Sequence, residues 1–418
     1  MSGTTNKRAV FRRNTCRLCA RGGLELVLRL PPTPPGDHYI KADRLNEAQA
    51  CYPIDLALCR DCGFVQLLDV VDPDILYGNY IYSTQSSPGL DEHFQKYADS
   101  TIARLSIPAG AFLVEFGSND GTLLRRFKER GVKTLGVDPA AAVARAATEA
   151  GVETINAYFT AEVAERIVAE KGRADVIIAN NVVANIDDLD AVGEAVRHLL
   201  APGGAFVFES GYLLDLVRNN VFDNIYHEHL SYLSAKPLVS FFRGKGMEVV
   251  DVEHVPTKGG SIRVTTQLAG GGRQPAASVA QAVAEEESAG IYAPQTYTVY
   301  GQRLAKMKAD LLTLLDALRE EGKKIAGYGA STSVTTLGYY FDVWDKLDFI
   351  VDDNPIKQNR YTPGAHVPVL PSDALYEKKP DYVVVLPWRF AEQIRARHKV
   401  FSEKGGRFIV PVPALAVY

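Results

Sequence analysis

Two pairs of cysteines, a Tyr-His-Glu-His run and two glycine-centred turns are the parts of this chain whose residue types and spacing could do chemistry. Cys16 with Cys19, and Cys59 with Cys62, each set two sulfurs so that one turn can aim both at a single ion. Two such turns complete a tetrahedral thiolate set. Four protein ligands leave no open position, so the implied zinc is structural and not catalytic. Cys51 stands outside this pattern. The run Tyr226-His227-Glu228-His229 offers imidazoles that titrate near neutral pH beside a carboxylate able to orient one of them, which is the equipment of a general base. Two surface or capping histidines, or half of a metal clamp, are the alternative readings, although a clamp needs more ligands than the two visible locally. His227 and His229 share a side only if the segment is extended, since residues two apart do not face each other on a helix.

The first glycine-centred turn is VEFGSNDGTLL at 114–124, an apolar strand that carries Glu115 and runs into Gly117, Asn119, Asp120 and Gly121 ahead of a helix. Glycine lets the backbone pass close to a ligand, and Asp138 closes the next apolar strand, where a carboxylate can accept ribose hydroxyls. A full G-x-G-x-x-G for seating a pyrophosphate is absent, and acidic residues stand in its place. An acidic turn repels phosphate but tolerates a sulfonium and an ammonium. S-adenosylmethionine is therefore the expected ligand, with a dinucleotide or a purely structural turn as alternatives. Asn180 and Asn181 follow a later strand, at the carboxyl end where such folds line their cofactor cleft. The second turn, Gly327-Tyr328-Gly329-Ala330-Ser331, has Asp352 and Asp353 where an acidic partner belongs but lacks a third glycine. It reads equally as a tight strand-to-helix turn, one that can still present N–H groups to phosphate.

These groups need elements to hold them. At 418 residues and 46% hydrophobic composition, the chain can bury more than one core. Residues 1–75 carry the cysteines and the loop LPPTPPGD, as expected of a small zinc-held module. Within 76–278, strands and helices alternate, which predicts a parallel sheet with right-handed crossovers. The stretch 211–236 interrupts that rhythm, and two strands around a Lys-Gly-Gly turn resume it. Residues 279–418 read as connecting helices followed by a second α/β unit. The expected fold class is α/β: an amino-terminal zinc module, a central Rossmann-like domain and a carboxyl-terminal Rossmann-like domain. A net charge of -4 without long basic runs argues against a nucleic-acid or membrane-surface partner. The polar start, the absence of a spanning apolar stretch and the cysteine usage lead us to expect a cytoplasmic protein, acting as a single chain.

With the cysteine pairs, VEFGSNDGTLL, NIYHEHLSY at 224–232, GYGAS at 327–331 and VDDNPIKQNRYTPG at 351–364 in this order, the chain resembles the zinc-containing sugar C-methyltransferases of deoxysugar pathways. It is similar to those that methylate C-3 of nucleotide-linked 4-keto sugars in tetronitrose-type pathways. The resemblance spans nearly the whole length. It implies an S-adenosylmethionine-dependent enzyme whose nucleotide-linked keto-sugar lies in the cleft among three domains. A 4-keto group acidifies the neighbouring C-3 hydrogen, so the reaction needs a base and a means of stabilising an enolate. By match to the family motif, His229 is the base, while Tyr226, Glu228 and His227 position the sugar or stabilise the enolate. Tyr80, in the Tyr-rich strip at 79–83, donates to the keto-sugar, although packing is its other reading. The carboxyl-terminal unit holds the nucleotide diphosphate, with Ser331, Lys357, Arg360 and Tyr361 as candidates. One departure stands out: where the family is expected to carry a histidine in its N-V-L-A-H segment, this chain has Asn185. O-methylation of a hydroxyl, NAD(P)-dependent oxidoreduction on the carboxyl-terminal turn and a zinc-held scaffold are the competing functions.

Overall fold

The computed structural model describes residues 9–77 and 90–418, and counted over these residues the strands form four sheets. The Tyr80 strip at 79–83 lies outside them. At the front, Leu24–Thr33, Tyr52–Cys59 and Val65–Leu67 pair antiparallel, and Val10–Arg12 pairs with Asp69–Val71. Ile54 to Cys59 are buried without alternation, as happens when both faces of a strand are covered. Pro31 and Pro32 have no N–H to offer, and the ladder shifts register between Leu30 and Thr33. The outer strand of this front sheet comes from far along the chain: Ser231–Tyr232 pairs with Gln66 and Val65. Two residues too short to show a strand period find their ladder only because Val65–Leu67 presents one. The stretch 211–236 thereby ties the central domain to the cysteine module.

The second sheet is the expected parallel one. Its strands in chain order are Phe112–Phe116, Lys133–Asp138, Thr154–Asn156, Ala174–Asn180, Leu200–Gly211, Met247–Val255 and Ser261–Leu268. In space they run 6-7-5-4-1-2-3, with the last strand antiparallel to both neighbours. A dinucleotide sheet has no antiparallel strand wedged there. The order reverses between the first and fourth strands, which opens a crevice at their carboxyl ends. Helices Ala277–Ser288 and Pro294–Glu320 then lead away. The second starts with proline at its first turn and buries Tyr297, Tyr300, Leu304, Met307, Leu311, Leu315 and Leu318, one helical stripe laid on Leu24–Thr33 and on helix Thr332–Phe341.

In the carboxyl-terminal sheet, Pro368–Pro371, Phe349–Asp352, Ile325–Tyr328, Tyr382–Val385 and Arg407–Val410 lie side by side and parallel. The three-part α/β architecture expected from the sequence is therefore the observed one. Buried apolar side chains of the front, central and carboxyl-terminal sheets form one contiguous cluster. No helix among the described residues is long and apolar enough to cross a membrane.

A clasp fastens the front module to the carboxyl-terminal domain. Gly36 presses on Thr332 so closely that a Cβ would lie 2.6 Å from its Cγ2, and Thr335 Oγ1 donates to the Gly36 carbonyl at 2.8 Å. Lys357 Nζ bonds Asp37 and lies 4.5 Å from the Tyr39 ring centre, and Ile40 and Tyr361 exchange backbone hydrogen bonds. Lys357 is 6% exposed, so removing its partner strands a buried ammonium. Asp37→Ala is expected to cost roughly 3 kcal/mol of stability, read as a lowered denaturation midpoint in urea.

Candidate active site

The cysteine site assembles as its spacing predicts. Cys59 ends a strand, and the turn after it brings back Cys62, with the N–H of Gly63 on the Cys59 carbonyl at 2.9 Å. Cys16 Sγ lies 3.6 Å from Cys62 Sγ, Cys19 Sγ lies 3.6 Å from Cys59 Sγ, and all four sulfurs fall within 4.8 Å of one another. Those separations suit sulfurs about 2.3 Å from one central ion. Hydrogen bonding from Cys62 draws the Cys16 thiol down to about 5, while burial pushes Cys59 up to about 11. Four sulfurs this close suit thiolates gathered on one divalent cation, whose charge relieves their crowding.

The cofactor turn sits at the carboxyl edge of the central sheet. Gly117 has φ 68, and a Cβ there would lie 2.2 Å from Val182 Cγ2. Asn119, at φ 48, and Gly121, at φ 71, complete the bend into helix Thr122–Lys128. Asp138 anchors this bend from the next strand: its carboxylate accepts from the N–H of Asn119 at 2.8 Å and of Ala140 at 2.9 Å. Asp120 accepts from the Thr122 hydroxyl at 2.6 Å and closes the turn from within. Glu115 is 3% exposed, and its Oε2 has no hydrogen-bond partner; burial, then Asp138 and Asp120, raise it well above the usual carboxylate range. On the neighbouring strand, Asn180 Oδ1 accepts from Asn181 Nδ2 at 2.7 Å, while its own Nδ2 is buried without a partner. Asn181 takes φ 55 and donates its N–H to the Glu209 carbonyl at 2.7 Å. A buried acidic group and an orphaned amide at the sheet's crossover point fit a cationic, hydroxyl-bearing ligand such as S-adenosylmethionine. Gly117→Ala should forfeit about 1–3 kcal/mol through its left-handed φ alone. Calorimetric titration is expected to show S-adenosylmethionine binding weakened by at least about tenfold, since Val182 must move.

The Tyr226–His229 run is a turn, not an extended strand: the N–H of His229 bonds the Tyr226 carbonyl at 2.9 Å. Its two histidines therefore part. His227, 2% exposed, donates Nε2–H to the Tyr52 carbonyl of the front sheet at 3.0 Å and packs edge-on to the Tyr52 ring. His229 donates Nδ1–H to the Asn224 carbonyl at 2.9 Å, which leaves Nε2 as an acceptor for the Tyr226 hydroxyl at 3.0 Å. Burial lowers both imidazoles to about 4, so both are neutral at physiological pH. Glu228 stays partly open to solvent, yet the surrounding protein raises it to about 8, with Asp37 adding to the rise and Lys357 and Lys258 opposing it. Charges from all three domains thus converge on this one carboxyl group.

Behind the run lies a buried network that residue spacing does not reveal. Glu209, 1% exposed at the end of its strand, accepts from Arg263 at 2.7 and 3.0 Å and from Thr257 at 3.2 Å, and pairs with His93 at 3.0 Å. Burial alone would raise it, yet the His93 bond and the Arg263 charge hold it below the usual range. The network fixes helix Leu90–Leu105, which follows the segment carrying Tyr80. Across the cleft, Arg389 reaches from the carboxyl-terminal domain to the buried Asp223 at 2.8 Å.

At the second glycine turn, Gly329 takes φ 102 against Pro387, and Asp352 accepts from the N–H of Ala330 at 2.6 Å, much as Asp138 holds the first turn. Ser331 is exposed at the start of helix Thr332–Phe341. Lys357 and Tyr361 belong to the clasp, and Arg360 donates to the Tyr39 carbonyl at 3.3 Å. The anion beside that helix start is the protein's own Asp37, 3.5 Å from Thr332 Oγ1.

A closed thiolate site in front of a methyl-donor sheet defines a zinc-containing, S-adenosylmethionine-dependent methyltransferase. Three family models match in succession: a zinc binding domain at 16–77, a methyltransferase domain at 90–252 and a C-methyltransferase C-terminal domain at 256–413. The C-methyltransferase NovU of Streptomyces niveus is 36% identical over 399 residues, covering 95% of each chain. The chain belongs to this C-methyltransferase family. Among solved structures, the PH0226 protein of Pyrococcus horikoshii OT3 is 14% identical with a TM-score of 0.37, covering 46% of this chain and 97% of that one. The CcbJ methyltransferase of Streptomyces caelestis is 15% identical with a TM-score of 0.35, covering 44% and 94%.

Proposed function

We propose that this enzyme methylates C-3 of a nucleotide-linked 4-keto-deoxysugar, with His229 as the base that forms the enolate. The observation that carries this reading is the tautomer of His229. Its Nδ1–H is committed to the Asn224 carbonyl, so Nε2 holds the lone pair and burial keeps it unprotonated at neutral pH. A base that acts on carbon needs this and little else, provided that the substrate's carbonyl oxygen finds donors.

Glu228 supplies one. Raised to about 8, it carries its proton at neutral pH and can donate a hydrogen bond where an ionised carboxylate could not. Tyr226 shares its hydroxyl with Nε2 and steers the lone pair. His227 serves the same segment by pinning it to the front sheet through Tyr52, a positioning role. S-adenosylmethionine, when bound at the Gly117 turn, supplies the methyl group as an electrophile. Glu115, Asp120, Asp138, Asn180 and Asn181 hold it at the edge from which the Tyr226–His229 turn is reached. For the nucleotide diphosphate we assign the Ser331 turn, flanked by Lys357, Arg360 and Tyr361. Tyr80 donates to the sugar from the segment ahead of helix Leu90–Leu105.

O-methylation of a hydroxyl also needs a base, and a protonated Glu228 does not distinguish the two. Incubation of the enzyme with a panel of dTDP-, GDP- and CDP-linked 4-keto sugars in D2O does. Deuterium entering the carbon beside the carbonyl, together with a mass gain of one methylene when the methyl donor is present, is the expected result. Methylation without any wash-in of deuterium would place the new methyl on oxygen.

A further inference from the structure

One cation in the cleft was invisible to residue spacing. Lys258 lies in the turn between Met247–Val255 and Ser261–Leu268. The first of these strands runs parallel to Leu200–Gly211, so the turn emerges at the same sheet edge as Gly117 and Asn180. Lys258 is held at φ 55 and ψ 25, a left-handed conformation that an ordinary side chain adopts only when its surroundings insist. They do insist. Gly260, at φ 124, backs so tightly onto Asp215 that a Cβ would lie 2.2 Å from its carboxylate, and Asn219 Nδ2 donates to the Gly259 carbonyl at 3.4 Å.

Asn224 supplies a second, independent constraint. Its own carbonyl accepts His229 Nδ1–H at 2.9 Å, while its side-chain amide donates to the Lys258 carbonyl at 3.3 Å. One residue thus fixes the imidazole and the lysine with respect to each other. The Lys258 side chain is exposed to the cleft, and its ammonium has no hydrogen bond or ion pair among the described residues. The charged and titratable groups that face it are Glu209, Glu228, His229 and, from the carboxyl-terminal domain, Arg389. Although the side chain is accessible, surrounding protein draws its pKa below the ordinary lysine value. That combination describes an accessible ammonium, held by its turn at the edge of the cleft and free to bind an arriving anion.

We propose that Lys258 is the cation that takes up the charge of the enolate oxygen, on the far side of the substrate from the His229 base. The assignment rests on the C-methylation reading above. In the step concerned, the Tyr226 hydroxyl turns away from Nε2 of His229, and the lone pair so released accepts the C-3 proton to give the imidazolium. The C–H bonding pair forms the double bond between C-3 and C-4, and the carbonyl π pair moves onto the oxygen. Lys258 donates an N–H to that oxygen as its charge develops, which lowers the barrier more than it tightens binding of the neutral ketone.

The test reads proton exchange alone. Full-length, zinc-loaded protein is incubated with a 4-keto sugar nucleotide in D2O, with S-adenosylhomocysteine in place of the methyl donor. For Lys258→Met, deuterium wash-in at saturating sugar is expected to fall by about 100-fold, with the KM for the sugar changed by less than about threefold. Lys258→Arg keeps a cation and is expected to retain at least about a tenth of the wild-type rate. Should the methionine variant not fold, Lys258→Gln carries the same comparison. Wash-in within about threefold of wild type, or a loss confined to KM as a diphosphate contact would give, overturns the assignment and leaves C-methylation standing. A wild-type enzyme that methylates keto-sugars with no wash-in removes both.

Discussion

Replacement of Cys59 by serine is expected to abolish methylation, although the cysteine site lies outside the chemistry. Apparent binding energies of structural zinc reach about 10–16 kcal/mol at pH 7, comparable to or above the roughly 5–15 kcal/mol that holds a domain folded. Cys59 ends the central strand of the front sheet, and the ladder beside that strand carries Ser231–Tyr232 at its outer edge. Leu230 meets the same ladder, its carbonyl accepting the N–H of Leu67 at 2.9 Å. His229 is the next residue back. Loss of zinc is therefore expected to release the carboxyl-terminal anchor of the Tyr226–His229 turn, and with it the Tyr52 contact of His227. Plasma mass spectrometry should find zinc below stoichiometry in Cys59→Ser. Thermal unfolding should begin well below the wild-type transition, and chelation of the wild type should reproduce both effects. A zinc-free variant with full activity would rule out this coupling.

The second large effect concerns His229. His229→Asn should lower kcat by about 10²–10⁴, the range that a positioned general base contributes, and should remove deuterium wash-in. Affinity for S-adenosylmethionine is expected to hold within about twofold, because the Gly117 turn does not touch this side chain. The wild-type pH profile gives an independent check. A base works when unprotonated, and burial lowers His229 to about 4, so the acidic fall in kcat/KM is expected near 4 and not near 6.5. Stability follows the same sign. Between about 6.5 and 4 the unfolded chain binds a proton at this residue that the folded protein does not, so stability decreases as pH falls through that window. An unchanged kcat in the variant would move the base elsewhere, to Glu228 first.

Much of the fold was legible because its signals are local. The two Cys-x-x-Cys pairs needed only the reach of one turn each, and the structure brings their four sulfurs together. Glu115, Gly117 and Asp138 were legible for the same reason: a strand that ends in a bend, followed by a strand that ends in a carboxylate, puts both at one sheet edge whatever surrounds them. The parallel order followed from alternation of strands and helices. In contrast, whether His227 and His229 share a side depended on the segment being extended, and the turn sent one ring to Tyr52 and the other to Tyr226. Nor did spacing reveal that Lys357 and Arg360, the residues proposed for the nucleotide diphosphate, also bond Asp37 and the Tyr39 carbonyl, partners more than 300 residues away in the chain.

By itself, then, the sequence determined what neighbouring residues can settle between them: the metal ligands, the character of the cofactor turn, the parallel core and the motif that names the family. Tertiary structure alone decided the electrostatics of the cleft. Glu228 is raised to about 8 because the surrounding protein strips it of water, with Asp37 from the front adding to the rise, while Lys357 and Lys258 pull the other way. Asn224 joins His229 to Lys258 across a gap of 34 residues between Asn224 and Lys258. Such couplings arise from loss of water and from distance in space, and neither has a period or a spacing along the chain.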